Sequence, residues 1–152
     1  MDKKIIIYLG ADHAGFYLKE KVKKYLVNSG YSVLDFGALS YDKDDDFPDF
    51  FHPLASKFSK NINNRALIFG GSGMGESIVL NRYKRIRCGI WYGGNKNIVK
   101  NYREHDDINS LAIASRFIDK KDLFDIIDLF LKTKFLNKKR YCRRVSKIDY
   151  KK

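Results

Sequence analysis

The residues with the clearest chemical content form one run, Gly70-Gly71-Ser72-Gly73-Met74-Gly75-Glu76-Ser77. Four glycines in six residues allow positive φ angles and turn several backbone N–H groups into one space. A helix following directly would add its N-terminal dipole, making the run an anion cradle. It is not a P-loop, because the Gly-Lys-Ser/Thr ending is absent. Nor is it a dinucleotide fingerprint: with Gly71 and Gly73 in the first two places, the third glycine should stand at 76, where the chain has Glu. A tight strand-to-helix turn would use some of the same glycines. What a plain turn does not need is the carboxylate at 76. Beside an anion cradle, Glu76 could remove a proton while the cradle holds the oxyanion that forms.

Two further motifs pair a His with acids. Asp12-His13-Ala14-Gly15 places an Asp where it could cap a helix, next to an imidazole. His105-Asp106-Asp107-Ile108-Asn109 ends a helix, where the dipole favours a cationic His. His52 lies within a helix and receives no role. No two of these residues have a metal-ligand spacing such as His-x-x-x-His, so the expectation is no metal. Cys88 falls inside a strand and reads as a small core residue, whereas Cys142 lies in a basic tail. Two cysteines exclude a disulfide framework and a four-cysteine zinc site.

The elements that must position these groups alternate. Lys4–Leu9 is a strand with the apolar content of a sheet buried on both faces. Residues 15–28 carry Phe16, Leu18, Val22, Tyr25 and Leu26 at helical spacing, closed by Gly30. Strands are expected at Tyr31–Phe36, Arg65–Phe69, Arg87–Trp91 and Ser110–Ala114. Helices are expected from Pro48 to about Lys60, through Ile78 to Tyr83, from Asn95 to about Glu104, and from Asp122 to Leu131. Asp42–Asp46 is an acidic loop. This order predicts an α/β fold, a parallel sheet with helices on both faces. Ligands of such folds sit beyond the carboxyl ends of the strands, where Asp12-His13, the glycine run with Ser72 and Glu76, and Arg116 all fall.

The 152 residues suit one domain, with 44% hydrophobic and 32% charged residues. The longest apolar stretch, Ile5–Leu9, is far short of the roughly 20 residues of a membrane span. The N-terminus lacks a secretory signal pattern, which predicts a cytoplasmic protein. The net charge of +12 is concentrated: from Lys134 onward, nine Lys/Arg face one acid. A localised basic tail fits a small phosphate-bearing substrate as well as nucleic-acid phosphates, and a near-balanced body argues against a nucleic-acid binder. The expected division is one α/β domain over 1–133 and a basic arm over 134–152 that reaches away from the core.

Taken together, Gly10-Ala-Asp12-His13-Ala-Gly15-Phe16, Asp46-Phe47-Pro48-Asp49, Gly70-Gly-Ser-Gly-Met-Gly-Glu76, Arg103-Glu-His105-Asp-Asp107-Ile-Asn109 and the tail Arg140…Arg144 resemble the type B ribose-5-phosphate isomerase family, which includes galactose-6-phosphate isomerase subunits. The resemblance covers nearly the whole chain in order and spacing. It implies a Rossmann-like α/β/α sandwich around a five-stranded parallel sheet. It also implies dimers or tetramers with active sites shared between subunits, and cofactor-free, metal-free aldose–ketose isomerisation of a phosphosugar. By that resemblance, Asp12 and His105 assist ring opening, and the loop Gly71, Ser72, Gly73, Met74 and Gly75 stabilises the enediolate. His13, Arg116, Arg140 and Arg144 hold the phosphate, the last two from the neighbouring subunit's tail.

One branch of the family uses a cysteine base at the start of the glycine loop. Gly70 stands there, and the chain follows the branch whose base is a glutamate, here Glu76. Asp106 replaces a usual Asn, so an acceptor replaces a group that could donate to the sugar. Phe47 replaces a common Tyr. The expected substrates are ribose 5-phosphate and ribulose 5-phosphate, as in the pentose phosphate pathway. The alternatives are a six-carbon phosphosugar such as allose or galactose 6-phosphate, or a non-catalytic relative that binds phosphosugar or RNA.

Overall fold

A computed structural model describes residues 5–149. Five strands form one all-parallel sheet: β1 (Ile6–Ala11), β2 (Ser32–Asp35), β3 (Arg65–Gly70), β4 (Cys88–Trp91) and β5 (Ser110–Ala114). Their order across the sheet is β2-β1-β3-β5-β4. The predicted strand at Lys4 begins instead at Ile6 and extends to Ala11, because Gly10 and Ala11 pair with Ile68 and Phe69 of β3; Lys4 lies outside the described residues.

Alternate residues of the central strands feed two separate cores, as the period of a strand requires. On one face Ile7, Leu9, Leu67, Phe69, Leu111 and Ile113 pack against α1 (Phe16–Asn28), α4 (Asn97–Asp106) and α5 (Leu123–Lys132). On the other, Tyr8, Ala66, Ile68 and Ala112 meet α2 (Pro48–Phe58) and α3 (Met74–Asn81). Both faces of β3 and β5 are therefore covered, which is why these strands read as continuous apolar runs. Helix α2 opens on Pro48, whose missing N–H costs nothing at that position.

The tail differs from expectation. Among the described residues it does not reach away from the core. Leu136 N–H donates to Glu104 O (3.2 Å), and a short helix, α6 (Lys139–Val145), packs on α4. Asp149 then accepts from Arg85 N–H at 3.0 Å. A single aromatic accounts for the docking: Tyr141 is buried and stacks on His105 with ring centroids 4.6 Å apart.

Candidate active site

The glycine run sits at the carboxyl end of β3, at the centre of the sheet. Gly73 takes φ 75°, a left-handed conformation that glycine adopts without steric cost, and α3 starts immediately after it. The first N–H groups of α3 have no carbonyl within the helix to bond. Ser72 Oγ accepts one of them, from Met74 at 3.3 Å. The loop is tied to the neighbouring strand: Ser115 N–H donates to Gly70 O and Arg116 N–H to Gly71 O. Those two bonds carry the Arg116 guanidinium over the loop, with Nη1 3.2 Å from where a Cβ on Gly71 would stand. The ring of Phe47 closes over Gly75 from the α2 side, at 2.8 Å from the position of an added Cβ.

Glu76 lies in the first turn of α3 and is 4% exposed. Burial raises its pKa above the ordinary carboxylate range, and the nearby Asp12 charge adds to the shift. A carboxyl so placed takes and returns a proton closer to neutral pH than a free one. Its carboxylate fills the space above Gly70, where an added Cβ would fall directly on it. A side chain at 70 and the carboxylate of 76 therefore compete for one position.

Asp12 follows β1 and is also buried. Its Oδ1 accepts from Ala14 N–H (2.9 Å) and Gly15 N–H (3.2 Å), so it caps the turn that opens α1. Burial nevertheless raises its pKa. Capping and a chemical role are thus compatible in one residue. His13 is a quarter exposed, and Arg116 lies close enough for its charge to act on the ring.

Sequence reading missed Asp45. It accepts from His13 Nδ1 at 2.6 Å and from His13 N–H at 3.1 Å. The polar atoms of Asp12, His13 and Asp45 lie within 4.8 Å of one another. As they stand, this donor set is committed to an ion pair and to the turn that precedes α1. No spacing rule points to Asp45, which is one of four acids in the loop from Asp42 to Asp46, 32 residues from His13.

The single chain brings together Asp12, His13, the loop from Gly70 to Gly75, Glu76 and Arg116, and leaves the other expected residues apart. Helix α4 runs back from the carboxyl end of β4, so His105 and Asp106 sit at the amino end of the sheet. There Asn109 N–H bonds Arg87 O just before β4. A five-residue strand separates the two ends by roughly 15 Å. Arg140 lies on that same distant side: its Nη2 donates to Tyr141 Oη at 2.9 Å, and its guanidinium rests 4.9 Å from the Tyr141 ring centre. Arg144 shares the helix with it. Asp107, next to Asp106, pairs with Arg87 and Arg103 and holds the end of α4. Burial pushes the Cys88 thiol up to about 12. The residue is half-buried at the margin of the second core, and not inside it as the sequence predicts. Among the described residues, no helix is long and apolar enough to cross a membrane.

The family pattern described as Ribose/Galactose Isomerase matches residues 7–148. Ribose-5-phosphate isomerase B of Mycolicibacterium paratuberculosis is 34% identical over 140 residues, which is 91% of this chain and 86% of that protein. The probable ribose-5-phosphate isomerase B of Mycoplasma pneumoniae is 33% identical over 93% of this chain and 91% of its own. Among solved structures, ribose-5-phosphate isomerase B from Mycoplasma genitalium with bound ribulose-5-phosphate superposes with a TM-score of 0.89 at 30% identity, covering 95% of this chain and 94% of that one. The Thermotoga maritima ribose 5-phosphate isomerase gives 0.88 at 35% identity, covering 96% and 98%.

Proposed function

The chain belongs to the ribose/galactose isomerase family, and we infer from that membership and from its site that it interconverts ribose 5-phosphate and ribulose 5-phosphate. It is a sugar-phosphate aldose–ketose isomerase. The observation that carries the residue-level reading is the buried Glu76 carboxylate beside the glycine cradle. We assign Glu76 as the base. It takes the proton from C2 of the open-chain aldose, leaving a cis-enediolate, and returns a proton to C1 on the same face. The electron pair of the C2–H bond becomes the enediol double bond as the carbonyl pair moves onto O1. The O2 hydroxyl proton passes to O1, C2=O forms, and the double-bond pair becomes the new C1–H bond, so no redox partner is needed. The backbone N–H groups of Gly71–Gly75 and the Ser72 hydroxyl would hold the enediolate oxygens. Asp12 would serve as proton acceptor or donor in ring opening.

His13 and Arg116 offer cationic donors for the phosphate on the chain that carries the base. His105, Asp106, Arg140 and Arg144 lie at the other end of the sheet, so their proposed roles require a second copy of the chain. Met74, Tyr92 and Phe117 are exposed beside the glycine loop and, with Ser72 and Ile90, line an apolar groove that a second copy would cover. A homodimer, or a tetramer built from it, would then assemble each site from two chains. Cytoplasmic residence is part of the same proposal, since Cys88 and Cys142 are both free thiols.

Mixing two defective chains tests this reading. Arg144→Ala removes one charge-assisted phosphate contact and is expected to lower kcat/KM by about 10- to 100-fold. Glu76→Gln removes the base. In a hybrid dimer with shared sites, one site recovers both Glu76 and Arg144. Random pairing should therefore return about a quarter of wild-type activity, read below KM. No recovery in proven hybrid dimers would mean that each site is built within one chain.

A further inference from the structure

We propose that Asp45 is a positioning residue for the phosphate of the substrate: it holds His13 in one orientation, as a doubly protonated ring with Nε2 left free for the phosphate. This rests on the isomerase reading, because it takes the ligand to be a phosphosugar.

One oxygen of Asp45, Oδ1, receives both the backbone N–H and the ring Nδ1 of His13, at 3.1 and 2.6 Å. Two contacts from one residue to one atom fix the backbone and the side chain of His13 together. With Nδ1 committed, Nε2 is the only ring nitrogen that can reach a ligand. The Asp45 side chain is only 7% exposed against 25% for His13, so the imidazole is the more accessible member of the pair.

The loop that carries the carboxylate is anchored at its start. Gly37 O accepts from Ala11 N–H and Ala11 O from Ala38 N–H, both at 2.6 Å, which fastens the start of the loop to the end of β1. The fully buried Lys19 of α1 donates to Ala38 O (2.7 Å) and to both oxygens of Asp35 (2.8 Å each). Asp45 N–H then closes a turn onto Asp42 O. The acid is thus presented by a loop pinned at its root.

Its other oxygen, Oδ2, is buried without a hydrogen-bond partner among the described residues. A buried carboxylate with one bare oxygen is costly unless a cation faces it. His13 is the cation that the geometry offers. The hydrogen bond to Asp45 raises the His13 pKa and the neighbouring Asp12 charge adds to it, while desolvation and the Arg116 charge act in the opposite direction without reversing the net upward shift. Asp45, Asp12 and Arg116 are the charged side chains that shift the ring. The sign follows: a raised pKa keeps the imidazolium, and with it the charge that binds phosphate, at pH values above the ordinary 6.5 of a free histidine.

Asp45→Asn separates this from simple electrostatics. Removing a negative charge near a phosphate subsite should by itself tighten binding. The proposal requires the opposite above pH 7: KM for ribose 5-phosphate rising about 10-fold relative to wild type, with kcat within about 3-fold. Below pH 6, where a free imidazole is protonated anyway, the KM difference should vanish or reverse. The His13 ring protons, followed by NMR in the unliganded protein, should titrate at lower pH in Asp45→Asn than in wild type. An unchanged KM profile in an active variant, or an unmoved His13 titration, overturns the proposal and leaves the isomerase reading intact. Failure of the wild type to turn over ribose 5-phosphate overturns the reading, and the NMR titration then still decides the Asp45–His13 relation.

Discussion

Glu76→Gln should lower kcat for ribose 5-phosphate isomerisation by about 10³-fold, with KM within a few-fold and the fold unchanged. Glutamine keeps the shape of glutamate but has no carboxylate to take the C2 proton, and general-base catalysis is worth about 10²–10⁴ in rate. The pH profile of the wild type adds a second readout. Burial raises the Glu76 pKa, so the ionised form is lost as pH falls through a value above the ~4.3 of a free glutamate. The acid limb of kcat should therefore lie above the ordinary carboxylate range. Steady-state kinetics from pH 4 to pH 9 measure both. A Glu76→Gln chain with near-normal kcat would give the proton transfer to another group, with Asp12 the next carboxylate in the site.

Gly70→Ala should disable the same step without touching the base chemically. The added methyl falls on the Glu76 carboxylate, the mobile end of a side chain, and not on backbone. Gly70 is not among the glycines of positive φ, so alanine fits its backbone. The carboxylate must move by an ångström or more to make room, and misplacement on that scale costs about 10²-fold in rate. The expected result is a kcat lower by about that factor in a protein whose Tm stays within a few degrees of wild type. Retained kcat would mean that Glu76 does not act from the position it occupies here.

The sheet was readable because its physics is local. Arg65–Gly70 and Ser110–Ala114 are buried on both faces, and burial on both faces leaves continuous apolar runs between glycines and polar turns. The helix positions followed from 3.6-residue spacing in α1 and α5. Boundaries moved by at most two residues, as at Ala11, where pairing with Phe69 prolongs β1 past its apolar run. Helix α6 could not be read from Lys139–Val145, because its inward face is a single pair one turn apart, Tyr141 and Val145, among cations; the helix docks through Tyr141 on His105.

The site divides in the same way. The placement of Glu76, Asp12, His13, Arg116 and the glycine loop was legible, since each follows a strand's carboxyl end by one to six residues. Asp45 was not, because its role depends on how a 12-residue connection folds back from Asp35 toward Pro48. The distance of His105 from Asp12 was not stated by any motif either. It follows from the direction of α4, which returns to the amino end of the sheet before β5 begins.

The most direct measurement is turnover by the purified wild-type protein of ribose 5-phosphate, with allose 6-phosphate and galactose 6-phosphate in parallel, followed by NMR of the sugar protons. The account predicts formation of ribulose 5-phosphate, with the six-carbon sugars converted far more slowly. A folded protein that leaves ribose 5-phosphate unchanged would contradict it.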